Sequence, residues 1–209
     1  MATIASPTEA SGHDIHEPHG HGSSTGLSNH KLAIWMFLSS DFLFFGAFIS
    51  AFVLYRSANQ PGKTLPDVLN IPFTSVTSFI LLMSSMSMVL ALAALQRGDL
   101  RRFRIWIGTT GLFGTVFIAG QIYEFTQFVR EGFTVRTNLS GSTFFVLTGL
   151  HGLHVAIGIV WLFSLLGLSL VGGIKAENSD AVEMAALYWH FVDIIWIIIF
   201  TVIYLIPAG

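Results

Sequence analysis

The sequence predicts an all-α integral membrane protein, a bundle of five transmembrane helices that follows a disordered N-terminal tail. Of its 209 residues, 53% are hydrophobic and 11% are charged, whereas soluble domains carry about 25% charged residues. Five apolar stretches are each long enough to cross about 30 Å of hydrocarbon as a helix. None of them shows the strict alternation of a transmembrane β-strand, so helices are the expected way to satisfy the backbone in lipid.

The N-terminal tail, residues 1–30, is polar and rich in histidine, serine and glycine, with no apolar run. Such a composition cannot bury a core, so we expect this segment to be disordered. It lacks the basic start and short apolar stretch of a cleaved signal peptide, which predicts that the first helix stays as an anchor. Its histidines could bind Ni²⁺ or Zn²⁺ in vitro, but a solvated tail is the simpler interpretation; they are His13, His16, His19, His21 and His30.

The membrane domain spans residues 31–206 and places its helices at about 32–55, 72–96, 104–129, 141–172 and 185–206. Polar segments with proline, glycine or arginine separate these stretches and mark the turns between helices. The connectors are recognised by Pro61, Gly62, Pro66 and Pro72, by residues 97–104, by residues 130–140 and by residues 172–183.

Lysine and arginine predict the orientation. One side of the membrane would carry Lys31, Arg97, Arg101, Arg102, Arg104 and Lys175, and the other Arg56, Lys63, Arg130 and Arg136. Because cytoplasmic loops carry the excess of these residues, we expect the N-terminus in the cytoplasm and the C-terminus outside.

Several function classes are excluded by composition. The chain has no cysteine, so disulfides, thiolate metal sites and cysteine nucleophiles are absent. A net charge of −2 gives no basic surface for nucleic acid. No phosphate-binding loop, dinucleotide fingerprint, zinc motif or nucleophile elbow occurs. We therefore predict no catalytic residue on this chain.

Six ionisable residues fall inside the predicted helices: Asp41, Glu124, His151, His154, His190 and Asp193. A charge at the centre of a transmembrane helix costs about 2.5–3.5 kcal/mol on insertion scales, so each residue needs a partner or a function. His151 and His154 are three residues apart and share a helix face, as do His190 and Asp193.

Three interpretations of these residues compete. Imidazole and carboxylate suit an iron, zinc or copper site, although membrane di-iron enzymes use about eight histidines and only three are intramembrane here. A relay of Asp, Glu and His could conduct protons or ions. The third interpretation, which we favour, is hydrogen bonding between helices by neutral histidines and protonated carboxylic acids.

Small and aromatic residues add two expectations. Small side chains would let helices approach closely; they are Ser84, Ser87, Ala91, Gly149, Gly152, Ala156 and Gly158. Aromatic side chains near helix ends are typical of interfacial anchors; they are Trp35, Trp106, Trp161, Tyr188 and Trp189.

Four motifs carry a resemblance to a known family. They are WMFLSSDFLFF (35–45), QIYEF (121–125), GSTFFVLTGLHGLHVAIG (141–158) and ALYWHFVDIIWIIIFTVIYL (186–205). Together they closely resemble subunit III of the haem–copper terminal oxidases, in its five-helix bacterial form, in collinear order over residues 31–206. Asp41 falls where many members have glutamate, Glu124 matches a Tyr-Glu pair, and His151, His154, His190 and Asp193 match directly.

The resemblance implies a subunit of the bacterial plasma (inner) membrane that packs against subunit I, in a complex with subunit II and a small subunit IV. It implies haem and copper on those partners, no metal or cofactor on this chain, and bound phospholipid. In this family subunit III supports the durability of subunit I, proton uptake, lipid binding and oxygen access.

The resemblance leaves the electron donor open. Asp41, the His-rich tail and QIYEF look like the quinol-oxidase branch, whereas GSTFF looks like the cytochrome c oxidase branch. Two alternatives also stay open: an accessory protein of nitric-oxide-reducing systems, and a stand-alone proton or ion translocator that uses Asp41, Glu124 and Asp193.

Overall fold

The computed structural model describes residues 29–56, 70–174 and 179–206, and these residues form five long helices. They are α1 (Asn29–Arg56), α2 (Ile71–Gln96), α3 (Leu100–Arg130), α4 (Leu139–Leu170) and α5 (Asp180–Phe200), which continues as a π-helical turn (Thr201–Leu205). All five are long and apolar enough to span a membrane, and the described residues contain no strand. The predicted all-α membrane fold is therefore confirmed. Residues 1–28 of the predicted tail lie outside the described residues.

The ends of α2, α3 and α4 follow one pattern. Each begins after a side chain that accepts a hydrogen bond from the first turn, from Asn70, Asp99 and Asn138 respectively, as N-cap residues do. Each ends two residues before a glycine at positive φ, namely Gly98, Gly132 or Gly172. Two helices begin before the apolar stretches that predict them: α3, capped by Asp99, begins at Leu100, and α5 begins at Asp180.

Four of the helices enclose the core. Helix α2 packs against α3 and α5, and α4 packs against the same two helices, so that the four close a ring. Helix α1 lies outside this ring against α4 and α5 and is the least buried of the five. Its buried residues Leu38, Phe45 and Phe52 recur every seven positions, which is the spacing of a helix that contacts neighbours along one narrow seam.

Two sets of contacts fasten α1 to α5, one at each end. The Lys31 ammonium group pairs with Asp180 at 3.3 Å and with Glu183 at 2.8 Å. At the other end, Arg56 donates to the carbonyl oxygens of Val202 at 2.9 Å and Ile206 at 3.3 Å. The two helices therefore run parallel and in a fixed register.

Between these fastened ends a groove of about 520 Å³ separates α1 from α5. Apolar side chains of both helices line most of it, including Phe42 and Leu43 of α1 and Leu187 and Ile194 of α5. His190 of α5 also lines this groove. It extends over less than half of each helix, on the side of the Lys31 pair.

Candidate functional site

Two tryptophans of α5 lie in the centre of the bundle and donate to serines of α2. The Trp189 indole N–H is 2.9 Å from Ser84 Oγ, and that of Trp196 is 2.8 Å from Ser78 Oγ. Trp189 is 1% exposed and Tyr188 4% exposed, so the prediction that both are interfacial anchors is wrong. The apolar stretch at 185–206 puts them near a helix end, but α5 begins at Asp180 and carries them further into the bundle.

Glycines provide the space for these large side chains. A Cβ atom on Gly114 or Gly158 would lie 2.6 or 2.8 Å from the Trp189 ring, and one on Gly152 would lie 2.6 Å from Gln121. Gly149, in contrast, has no atom within 4 Å of such a Cβ. The expectation of close approach thus fits Gly152 and Gly158, but it is wrong for Gly149.

Asp41 of α1 faces His154 of α4. The His154 Nδ1 atom lies 2.7 Å from the Leu150 carbonyl oxygen, so Nδ1 carries a proton and donates it. The His154 Nε2 atom is then turned to Asp41 Oδ2, at 3.5 Å, which is longer than a regular hydrogen bond. Tyr188 donates to the His154 carbonyl oxygen at 2.9 Å. This contact therefore joins α1, α4 and α5.

His151 lies one turn away on α4 and is completely buried. Its ring stacks on Trp196 with centroids 4.8 Å apart and meets the edge of Phe117 at 6.0 Å. Neither ring nitrogen has a hydrogen-bond partner among the described residues. His151 thus packs as a flat aromatic side chain in the core.

His190 and Asp193 of α5 meet Ser85 of α2. The Ser85 hydroxyl lies 2.5 Å from His190 Nδ1 and also faces the carboxyl group of Asp193. The two Asp193 oxygens are buried, and no regular hydrogen bond to a described residue reaches them. The spacing of three predicts that His190 and Asp193 share a helix face, and in the structure this face is directed at Ser85.

Glu124 of α3 joins three helices near the Arg56 end. Its Oε1 atom lies 2.5 Å from the Thr74 hydroxyl of α2 and accepts from the Tyr204 hydroxyl at 3.2 Å. Tyr204 belongs to the π-helical turn (Thr201–Leu205). Such turns are rare and occur often at functional sites.

The six predicted residues thus lie in separate contacts rather than at one centre. Asp41 with His154, His190 with Asp193, and Glu124 each face different partners, while His151 packs against aromatic rings. In the part of the chain that the structure describes, no group of three or more His, Asp or Glu side chains could hold a metal ion. The arrangement suits hydrogen bonding between helices.

Comparison with known proteins identifies the family. The family model described as cytochrome c oxidase subunit III matches residues 11–207. The chain belongs to the cytochrome c oxidase subunit III family. This confirms the resemblance that the four motifs carry.

Curated relatives of subunit III come from both donor branches. The chain is 32% identical over 177 residues to cytochrome c oxidase subunit 3 of Bacillus sp. (strain PS3), covering 85% of this chain and 86% of that one. It is 36% identical over 177 residues to a probable quinol oxidase subunit 3 of Staphylococcus saprophyticus, covering 84% and 88%. It is 33% identical over 199 residues to cytochrome bo(3) ubiquinol oxidase subunit 3 of Pseudomonas aeruginosa, covering 95% of each chain. These similar identities do not separate the branches.

Sequence reasoning missed several partners in this subunit III. Three partners of the predicted residues are absent from the sequence-based set: Ser85, Thr74 and Tyr204. Gln121, which has a buried side-chain oxygen, is absent from it as well. The available signals were weak: Ser85 stands in a run of serines, and Gln121 opens the QIYEF motif. Nothing in the sequence marks which helices become neighbours.

Proposed function

We propose that this chain is the non-catalytic subunit III of an oxygen-reducing, proton-pumping terminal oxidase, and that it packs directly against subunit I and stabilises it. The observation that carries the proposal is the family match over residues 11–207. The separate polar contacts inside the bundle support a structural role. Haem and copper are expected on the partner subunits, which also include subunit II and a small subunit IV.

The further roles in this proposal are proton uptake, binding of phospholipid and access of oxygen to subunit I. Oxygen dissolves in hydrocarbon, and apolar side chains cover much of the outer surface of α1, among them Phe37, Phe42 and Phe44. Such a surface supports contact with lipid and a route for oxygen. We place the chain in the bacterial plasma (inner) membrane, with the N-terminus in the cytoplasm and the C-terminus outside.

The test is purification through an affinity tag on this chain after mild detergent extraction, followed by mass spectrometry and an optical spectrum. We expect large haem-binding and copper-binding subunits to co-purify and the haem bands to appear. Oxygen consumption with quinol or with cytochrome c would then assign the donor. A colourless chain without partners would contradict the proposal, and nitric oxide reduction by the purified complex would favour the accessory-protein alternative.

The ion-translocator alternative is tested separately with liposomes that contain only this chain. The carboxyl groups of Asp41, Glu124 and Asp193 face different helices and partners, which favours no flux. Proton or ion flux above that of empty liposomes would support the alternative, and its loss in Asp193→Asn would assign the route.

A further inference from the structure

The groove between α1 and α5 is lined mostly by apolar side chains, and three of its lining side chains carry polar atoms: Trp35, with its indole N–H, Ser39 and His190. Ser39 uses its hydroxyl to donate to the Trp35 carbonyl oxygen of its own helix at 2.8 Å. His190 uses only Nδ1, which lies 2.5 Å from Ser85 Oγ, and no hydrogen bond of Nε2 to a described residue is found. His190 lines the groove, and since its Nδ1 is directed at α2, the Nε2 edge of the ring is the part that faces the groove.

The groups behind His190 determine which ring nitrogen carries the proton. A carboxylic acid rather than a carboxylate suits Asp193, because a charge is costly at this depth. The Asp193 oxygens lie beyond hydrogen-bond reach of Ser85, so His190 Nδ1 is the acceptor to which the Ser85 hydroxyl donates. In this arrangement the neutral imidazole keeps its N–H at Nε2, so His190 presents a hydrogen-bond donor to the groove.

This donor lies close to the middle of the membrane. Asp193 is halfway between Asp180 and Ile206, the residues through which α5 is fastened to α1 at either end. His190 is about 5 Å from that midpoint by helical rise. Phospholipid ester groups lie at the edge of a hydrocarbon core about 30 Å thick, so their oxygens do not reach His190. An acyl chain in the groove would leave the N–H unpaired.

We propose that the groove binds the ring of an isoprenoid quinone, whose carbonyl oxygen accepts a hydrogen bond from His190 Nε2. A quinone has an apolar ring and tail, which match the apolar lining of the groove. It also carries a carbonyl oxygen that can accept a hydrogen bond inside the hydrocarbon core. The groove volume of about 520 Å³ lies within the range of about 300–1,000 Å³ of small-molecule sites. The proposal rests on the proposed function only in placing the chain in a respiratory membrane, and it does not require quinol to be the electron donor.

The experiment is photolabelling of native membranes with an azido-quinone, followed by peptide mapping of this chain. We expect the label on residues that line the groove, such as Phe42, Leu43 and Ile194, and we expect unlabelled quinone to compete with it. His190→Leu should lower labelling about fivefold, the typical effect of one lost hydrogen bond. His190→Gln, which retains an N–H donor, should preserve more of it. Ser50→Ala, an exposed serine elsewhere on α1, serves as the control.

Several outcomes would overturn the proposal. They are label confined to other subunits, equal labelling of wild type and His190→Leu, and labelling of the groove that excess unlabelled quinone does not lower, which would show non-specific labelling from the lipid phase. If His190→Leu is not inserted into the membrane, mapping and competition on the wild-type chain still decide. Because labelling takes place in membranes before purification, its result is independent of whether haem-bearing subunits co-purify with the chain.

Discussion

Polar side chains inside the bundle have partners that are distant in the sequence. Ser85 and His190 are 105 residues apart, and Thr74 and Glu124 are 50 residues apart. The intramembrane positions of Glu124 and His190 can be predicted from hydropathy alone, because a polar residue in an apolar stretch stands out. Their partners cannot, because serine and threonine are common in transmembrane helices and become partners only when two helices pack together.

Asp41 provides a test of the structural role of these contacts. Asp41→Asn should keep most of the subunit in the purified complex, because an amide, like a protonated acid, presents a polar donor to His154 Nε2. Asp41→Leu should lower the retained amount, because it places an apolar side chain opposite the polar His154 Nε2 atom, at a cost of about 1–3 kcal/mol. The measurement is the ratio of this chain to haem after purification, together with the temperature at which the chain dissociates.

The control for this pair is Ser50→Ala on the same helix, since the exposed Ser50 hydroxyl contacts only the carbonyl oxygen of Gly46 among the contacts found for it. Equal loss of the chain in Asp41→Asn and Asp41→Leu would show that the carboxylate itself, and not a hydrogen bond, is needed.

At the scale of the helix, α1 differs from the others in being held along a seam and at its ends. The seven-residue spacing of Leu38, Phe45 and Phe52 is present in the sequence and could have predicted the buried face. Asp41 falls within this seam, three residues after Leu38 and four before Phe45. The π-helical turn after α5 could not be predicted, because TVIYL contains no proline or glycine. Arg56 and Glu124 contact it from other helices.

Arg56 should control the mobility of this turn. Arg56→Ala removes a charged donor from the Val202 and Ile206 carbonyl oxygens, and hydrogen bonds to charged groups contribute about 1.5–3 kcal/mol. We expect amide hydrogen exchange in residues 201–206 to become at least about tenfold faster. Exchange near Asp180, at the opposite end of α5, should stay unchanged.

A matched control is Arg102→Ala, which removes an arginine whose ion pair is with Asp99 one turn away and which is far from α5 in the sequence. Amide hydrogen exchange in residues 201–206 that is the same in Arg56→Ala and wild type would show that the terminal turn is stable without the contacts of Arg56.

At the scale of the whole molecule, hydropathy predicts the number and order of the helices, since each apolar stretch is long enough to span lipid. It does not predict which helices are neighbours. The ring of α2, α3, α4 and α5 depends on shape: Trp189 of α5 fits beside Gly114 of α3 and Gly158 of α4. The sequence indicates Gly158 as a site of close approach, but it does not single out Gly114 and does not indicate that Trp189 is the partner. The same dependence on shape explains why Tyr188 and Trp189 are buried.

The orientation of the whole molecule can be measured by labelling single introduced cysteines, because the chain has no cysteine of its own that would react. Arg101→Cys at the start of α3 and Arg136→Cys after α3 both replace exposed residues at opposite ends of the helix. We expect a membrane-impermeant maleimide to label Arg136→Cys in intact cells and Arg101→Cys only in inverted vesicles, because positively charged loops stay in the cytoplasm. The reverse pattern would place the N-terminus outside, and permeabilised cells control for reactivity.

The fastening of α1 to α5 at both ends also makes the pair responsive to bilayer thickness. Lys31 and Arg56 are about 38 Å apart along α1 by helical rise, longer than a hydrocarbon core of about 30 Å. Tilting of the helix and snorkelling of both cations take up the excess length. Since neither helix can slide along the other, they must tilt as a pair. A thicker membrane would therefore bring both helices nearer to upright, and would change the inclination of the groove between them.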